Sequence, residues 1–279
     1  MAYRTLISPE QLHEQLGDEG LIVFDCRHAL GDFGLGLRLY EESHLPSAFF
    51  ASVEDELAGT KTGKNGRHPL PDPERFARFL RSCGAGDESQ LVAYDAGGDM
   101  FAARFWFLSR WIGHDDVAVL DGGFSAWTAL GYPVTSELPN PRQGSLAVRL
   151  HPEYIVDADY VLAHLGSDAM QLLDARARER YAGESETVDA VAGRIPGAHN
   201  RAFKENFDEN GRFKSPDALR AEFEATGLDP TRIVHQCGSG VSAAAQHFAM
   251  HHAGLEGSRV YNGSWSEWIA DPARPIERG

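Results

Sequence analysis

The chain has 279 residues, enough for two domains of ordinary size. Acidic residues outnumber basic ones 41 to 26, and the net charge of −15 argues against a nucleic-acid or anionic-membrane partner, which would want a basic face. Any anionic substrate must therefore be drawn in by local cations. Residues 1–10 lack the apolar core of a secretory signal and no run approaches a membrane span. Three cysteines without C-x-x-C spacing make a poor disulfide framework, which points to a reducing, cytoplasmic setting.

In chain order, short apolar runs at 21–25, 91–94 and 117–120 read as strands, with amphipathic helices at 73–83 and 102–112 between them. Residues 131–151 contain Pro133, Pro139 and Pro141 and little periodicity, and 139–152 reads as a linker. Strands then recur at 171–174, 233–236 and 259–261, with helices at 216–226 and 242–252. Gly84, Gly113, Gly227 and Gly254 stand where helices should stop. Alternating strands and helices of this kind predict an α/β fold in which a mostly parallel sheet carries helices on both faces.

The chain repeats itself once. Val92-Ala93-Tyr94-Asp95-Ala96-Gly97-Gly98 matches Ile233-Val234-His235-Gln236-Cys237-Gly238-Ser239 at an offset of 141, which still holds where Trp127 meets Trp268. Val23-Phe24-Asp25-Cys26-Arg27 resembles Leu172-Leu173-Asp174-Ala175-Arg176. A period this long is a duplicated domain rather than a solenoid. We therefore expect one copy over 1–138, the linker 139–152, and a second copy over 153–279.

The second copy holds the strongest chemical signal. An apolar strand ends at Cys237, which opens a Gly238-Ser239-Gly240 loop running straight into the helix begun by Val241 and Ser242. A thiol at a helix N-terminus, ringed by backbone N–H groups, is held as a thiolate and can sit beside a small anion. Gly238 and Gly240 are expected to supply the positive φ angles such a loop needs. The first copy has Ala96 in place of Cys237 and cannot do thiol chemistry there. Cys26, beside Asp25 at a strand end, and Cys83, at a helix end, lack this context and read as inert. Two other chemistries are disfavoured. The loop has neither the phosphate-binding G-x-x-x-x-G-K-[ST] pattern nor the full G-x-G-x-x-G pattern. Ala243 stands where a cysteine phosphatase would carry the arginine of C-x5-R. His235 and His247 read as packed, and no histidine, cysteine and carboxylate set has zinc spacing. His68 lies in a polar loop, and Arg180 in the charged run 176–180.

With the Cys-Gly-Ser-Gly-Val-Ser loop, the duplication and the cysteine-free first copy together, the chain resembles the two-domain rhodanese superfamily. Within it, the resemblance is to the 3-mercaptopyruvate sulfurtransferases. Supporting motifs are His44-Leu45-Pro46-Ser47-Ala48, Leu120-Asp121-Gly122-Gly123, Gly193-Arg194-Ile195-Pro196-Gly197-Ala198 and Gly263-Ser264-Trp265-Ser266-Glu267-Trp268. The resemblance implies a cysteine persulfide on Cys237, formed from a small anionic sulfur donor and discharged to a thiol or cyanide acceptor, among them a small redox protein. It implies no cofactor and no metal. It also implies that Ser239 pairs with His68 and an acid, matched by Glu54 with Asp55 and Glu56 adjacent. Arg180 matches an arginine that holds the donor carboxylate, while Gly238, Gly240, Val241 and Ser242 frame the donor. The family's second such arginine is missing from 184–189, and Arg67 and Arg194 are the candidates to compensate. Thiosulfate is the alternative donor. A catalytically silent sulfur-carrier or regulatory module is the reading from a different class.

Overall fold

The computed structural model of the protein describes residues 2–278. The chain forms two compact units, one from Met1–Gly59, Pro71–His151 and Phe207–Phe213, the other from Thr60–Leu70, Pro152–Asn206 and Lys214–Gly279. Sequence boundaries alone put residues 60–70 in the first copy and 207–213 in the second; each segment groups with the opposite unit. Residues 139–151, expected as a linker, run along the first unit. They are tied down where Leu146 N donates to Ala85 O and Arg149 N to Ile112 O.

The first unit contains β1 (Leu6–Ile7), α1 (Pro9–Gln15), β2 (Leu21–Asp25), α2 (Leu35–Glu42), β3 (Phe49–Phe50), α3 (Pro73–Ser82), β4 (Gln90–Tyr94), α4 (Phe101–Trp111), β5 (Val117–Leu120) and α5 (Gly123–Ala129). Its strands form one sheet in the order β1-β5-β4-β2-β3, and every pairing is parallel. Alternate side chains of a strand face opposite ways, so the sheet is covered on both sides. Val23, Val92 and Tyr94 pack with Leu12 of α1 and Trp127 of α5. Phe24, next to Val23, meets Phe79 of α3 and Phe105 of α4 instead.

The second unit repeats the plan with β6 (Ile155–Val156), α6 (Ala158–Ala163), β7 (Gln171–Asp174), α7 (Arg178–Ala182), β8 (His199–Asn200), α8 (Pro216–Glu224), β9 (Ile233–Gln236), α9 (Val241–His252), β10 (Arg259–Tyr261) and α10 (Ser264–Trp268). The order β6-β10-β9-β7-β8 is again wholly parallel. Leu172, Val234, Trp265 and Trp268 share the core on one face. His235 is fully buried, and burial pushes its imidazole down to about 3, so it packs as a neutral ring.

The duplication extends to buried polar contacts. Asp25, at the end of β2, accepts from Arg27 Nη2 at 2.6 Å, and Asp174, at the end of β7, accepts from Arg176 Nη2 at 2.7 Å. Each arginine lies against an aromatic ring of the last helix of its unit: Arg27 4.1 Å from the Phe124 centroid, Arg176 5.0 Å from that of Trp265. Trp127 Nε1 donates to Pro133 O and Trp268 Nε1 to Pro275 O. Breaking a buried pair leaves one charge uncompensated, so Asp174→Ala is expected to cost about 3–5 kcal/mol in chemical denaturation. A midpoint equal to that of the unaltered protein would show that Asp174 carries no such load.

Candidate active site

Strand β9 delivers Cys237 to the C-terminal edge of the second sheet, and the loop turns there into α9. Gly240 is the N-cap of α9 with φ +85°, and a side chain there would strike the carbonyl of Asn262. Gly238 does not have a positive φ, contrary to expectation. A methyl group on its Cα would lie 2.8 Å from Arg67 Nη2 and 3.5 Å from Arg180 Nη1, the ends of two long side chains that it would displace.

The buried sulfur of Cys237 accepts from Gly240 N at 3.0 Å and from Ser239 N at 3.4 Å. This orientation follows from how the loop carbonyls are held. Trp265 N donates to Cys237 O and Ser266 N to Gly238 O, both at 2.9 Å. With Gly238 O tied to α10, the N–H of Ser239 in the same peptide plane turns toward the sulfur, and Gly240 N joins it from the N-cap of α9. Cys237 N donates to Ser264 Oγ at 3.0 Å, and that oxygen lies 3.9 Å from the sulfur. Val241 and Ser242, both buried, open the first turn of α9.

His68 belongs to the segment that groups with the second unit, and its Nδ1 shares a hydrogen bond of 2.9 Å with Ser239 Oγ. Two contacts from the β10–α10 turn place it. Asn262 Nδ2 donates to His68 O at 3.1 Å, and Ser266 Oγ accepts from Arg67 N at 3.0 Å. Glu54 lies in the first unit with an oxygen 3.9 Å from His28 Nε2.

Arg180, in the middle of α7, donates through Nη2 to Asp189 Oδ2 at 2.8 Å and through Nε to both oxygens of Glu186, at 3.1 and 3.2 Å. Arg67 Nη1 bonds the other oxygen of Asp189. Burial holds the Arg67 guanidinium below the ordinary arginine value; the charges of Cys237 and Glu186 oppose that, and those of Arg180 and Arg176 add to it. Arg194 is engaged elsewhere. Its guanidinium bonds Glu277 and lies 4.8 Å from the Tyr181 centroid.

The structure thus brings together Cys237, Gly238, Ser239, Gly240, His68 and Arg180 within one unit. Sequence reasoning missed Asn262, Ser264 and Ser266, which hold the loop and the 66–68 segment. Their signal was the Gly263–Trp268 motif, which repeats the turn after β5. It also missed Glu186 and Asp189. They lie in the stretch scanned for an arginine, and Asp189 meets Arg67 across 122 positions of chain.

The first unit shows what the same loop does without a thiol. Asp95 Oδ1 accepts from Gly97 N at 2.9 Å and Oδ2 from Ala102 N at 3.1 Å. The unit's own carboxylate thus meets N–H groups of the loop and of the first turn of α4.

A family model described as "Rhodanese-like domain" matches residues 8–130 and 157–271. The chain is 44% identical over 283 residues to the "Probable 3-mercaptopyruvate sulfurtransferase" of Pseudomonas aeruginosa, covering 100% of both chains. It is 33% identical over 292 residues to the "Thiosulfate sulfurtransferase" of Bos taurus, covering 99% of this chain and 96% of that one. Among solved structures it is similar to SseA from Escherichia coli, described among the 3-mercaptopyruvate sulfotransferases. That match has a TM-score of 0.82 and 28% identity over 93% of this chain and 98% of the other.

The three thiols should differ sharply in reactivity. Burial, with Asp25 and Asp95 nearby, pushes the Cys26 thiol well above its ordinary value, and burial pushes Cys83 up to about 12. Both are therefore protonated at pH 8, and only the thiolate is the nucleophile. Iodoacetamide at pH 8 should label the native protein at Cys237 alone, and Cys237→Ser should take up no label. Labelling of Cys26 or Cys83 at a comparable rate would contradict this.

Proposed function

The chain belongs to the rhodanese-like family, and on that premise we propose that it is a sulfurtransferase. In this reading Cys237 takes sulfur from 3-mercaptopyruvate and passes it to a thiol or cyanide. The observation that carries the reading is the pair of backbone N–H groups on the Cys237 sulfur, in a loop with no charged side chain of its own. Such donors stabilise a sulfur anion before and after transfer without a metal.

The chemistry is covalent and occurs in two steps. The Cys237 thiolate attacks the donor sulfur and an S–S bond forms. The donor C–S bond breaks, and its electron pair passes to carbon as an enolate. The donor's thiol proton ends on that carbon, giving pyruvate. The persulfide anion inherits the N–H groups that held the thiolate. An acceptor nucleophile then attacks the outer sulfur, and the electron pair of the S–S bond returns to Cys237. The Ser239 hydroxyl, bonded to His68 Nδ1, is the group we assign to move the donor proton. Arg180 is assigned to the donor carboxylate, which a guanidinium binds through two parallel N–H groups.

Thiosulfate is the second reading, because two guanidiniums beside Gly238 also suit a dianion. Steady-state comparison of the two donors decides between them. We expect a higher kcat/KM for mercaptopyruvate. Arg180→Ala should raise its KM by about tenfold or more, the cost of losing hydrogen bonds to a charged group. His68→Ala should slow turnover by about 10²–10⁴-fold, the usual weight of a general acid–base group, without a matching fall in melting temperature. Ser239→Lys should shift preference toward thiosulfate. Equal or better use of thiosulfate by the unaltered enzyme would make it a thiosulfate sulfurtransferase.

A further inference from the structure

We propose that Arg67 is the second guanidinium of the donor site and that Asp189 is the residue that positions it, so that Arg67 and Arg180 grip the donor carboxylate together; this rests on the sulfurtransferase reading above. Residues 184–189, which lack the second arginine that the resemblance leads one to expect, carry Glu186 and Asp189 instead, and both side chains are 3% exposed. Arg67 and Arg180, at 33% and 22%, lie further out. The acids therefore back the arginines from inside.

Two guanidiniums side by side repel each other, and a carboxylate bonded to both offsets that repulsion. Asp189 does this, with one oxygen on Arg67 Nη1 and the other 2.8 Å from Arg180 Nη2. Asp189 is itself fixed, because Glu186 Oε1 accepts from Val188 N and Asp189 N, each at 2.9 Å. The remaining terminal nitrogens, Arg67 Nη2 and Arg180 Nη1, converge over the α-carbon of Gly238, 2.8 and 3.5 Å from where a side chain would begin. Gly238 adjoins Cys237. A short 2-oxo acid with its sulfur at the thiol must put its carboxylate near this point.

The charges agree. Arg67 and Arg180 balance Glu186 and Asp189, so a donor carboxylate is held by the directed N–H groups that remain on the two arginines rather than by net positive charge. Arg176 does not compete for this role, since Asp174 holds it bidentately and its Nη2 donates to Gly193 O at 2.9 Å. Arg194 is held by Glu277.

The test uses the full chain and four variants: Arg67→Met, Arg67→Lys, Asp189→Asn and the double Arg67→Met/Asp189→Asn. KM and kcat for mercaptopyruvate are measured, together with inhibition by pyruvate, which keeps the carboxylate and lacks the sulfur. Arg67→Met should raise KM and the pyruvate inhibition constant by about tenfold each, with a smaller fall in kcat. Arg67→Lys keeps the charge without the planar fork and should recover only part of the loss. Asp189→Asn, nearly isosteric, should raise KM several-fold alone and by less in the Arg67→Met background, where only its bond to Arg180 is left to lose. An unchanged KM in Arg67→Met overturns the proposal. So does a lower KM in Asp189→Asn, which would make Asp189 an obstruction, or full additivity in the double variant. If the unaltered enzyme does not turn over mercaptopyruvate, the sulfurtransferase reading falls and takes this one with it. Turnover by the unaltered enzyme with Arg67→Met indistinguishable from it sinks this proposal alone.

Discussion

The second unit is arranged around one buried sulfur, that of Cys237, and the backbone donors fixed on it. The N–H of Ser239 faces the Cys237 sulfur because the carbonyl of Gly238, in the same peptide plane, is drawn the other way by Ser266 N, while Gly240 N reaches the sulfur from the N-cap of α9. The cradle is therefore as much a product of the β10–α10 turn as of the cysteine loop. The same turn fixes Arg67 and His68 through Ser266 and Asn262. One short segment thus orients the anion donors, the histidine and a guanidinium. These contacts cost no reorganisation when charge moves, which is the property that makes preorganised donors effective.

The two units are a comparison built into one chain. Both keep the parallel five-stranded order and the strand-end Asp–Arg pair stacked on an aromatic ring. They diverge at the start of one helix. In the first unit Asp95 accepts from Gly97 N and Ala102 N; in the second, Ser239 N and Gly240 N face the sulfur of Cys237. The net charge of −15 would repel an anionic donor at long range. In the proposed reading attraction is left to Arg67 and Arg180, whose charges are largely offset by Glu186 and Asp189. Such a site discriminates by geometry at short range more than by field.

Strands of three to five residues were legible in the sequence because each is a continuous apolar run closed by a turn or helix signal. Those at 21–25, 117–120, 171–174, 233–236 and 259–261 fall at the expected positions. The two-residue strands β1, β3, β6 and β8 carry no period and were invisible, as was α7, a five-residue helix in a charged run. Gly84, Gly113, Gly227 and Gly254 end helices with positive φ, as their spacing suggested. The cysteine loop was legible because its chemistry is local. Gly240 was read for the right reason, and Gly238 for the wrong one: guanidiniums from 58 positions earlier and 171 positions earlier occupy its side-chain space. Pairings such as Arg67 with Asp189 depend on where distant loops land, which no periodicity records. For the same reason, residues 60–70 group with the unit they serve rather than with the one that precedes them in sequence.

The most direct measurement is the mass of the intact protein after brief incubation with mercaptopyruvate and removal of the donor, followed by peptide mapping. The account predicts an increase of one sulfur atom, confined to the peptide containing Cys237 and lost on addition of cyanide. No added sulfur with either mercaptopyruvate or thiosulfate, or sulfur carried on Cys26 or Cys83, would contradict it.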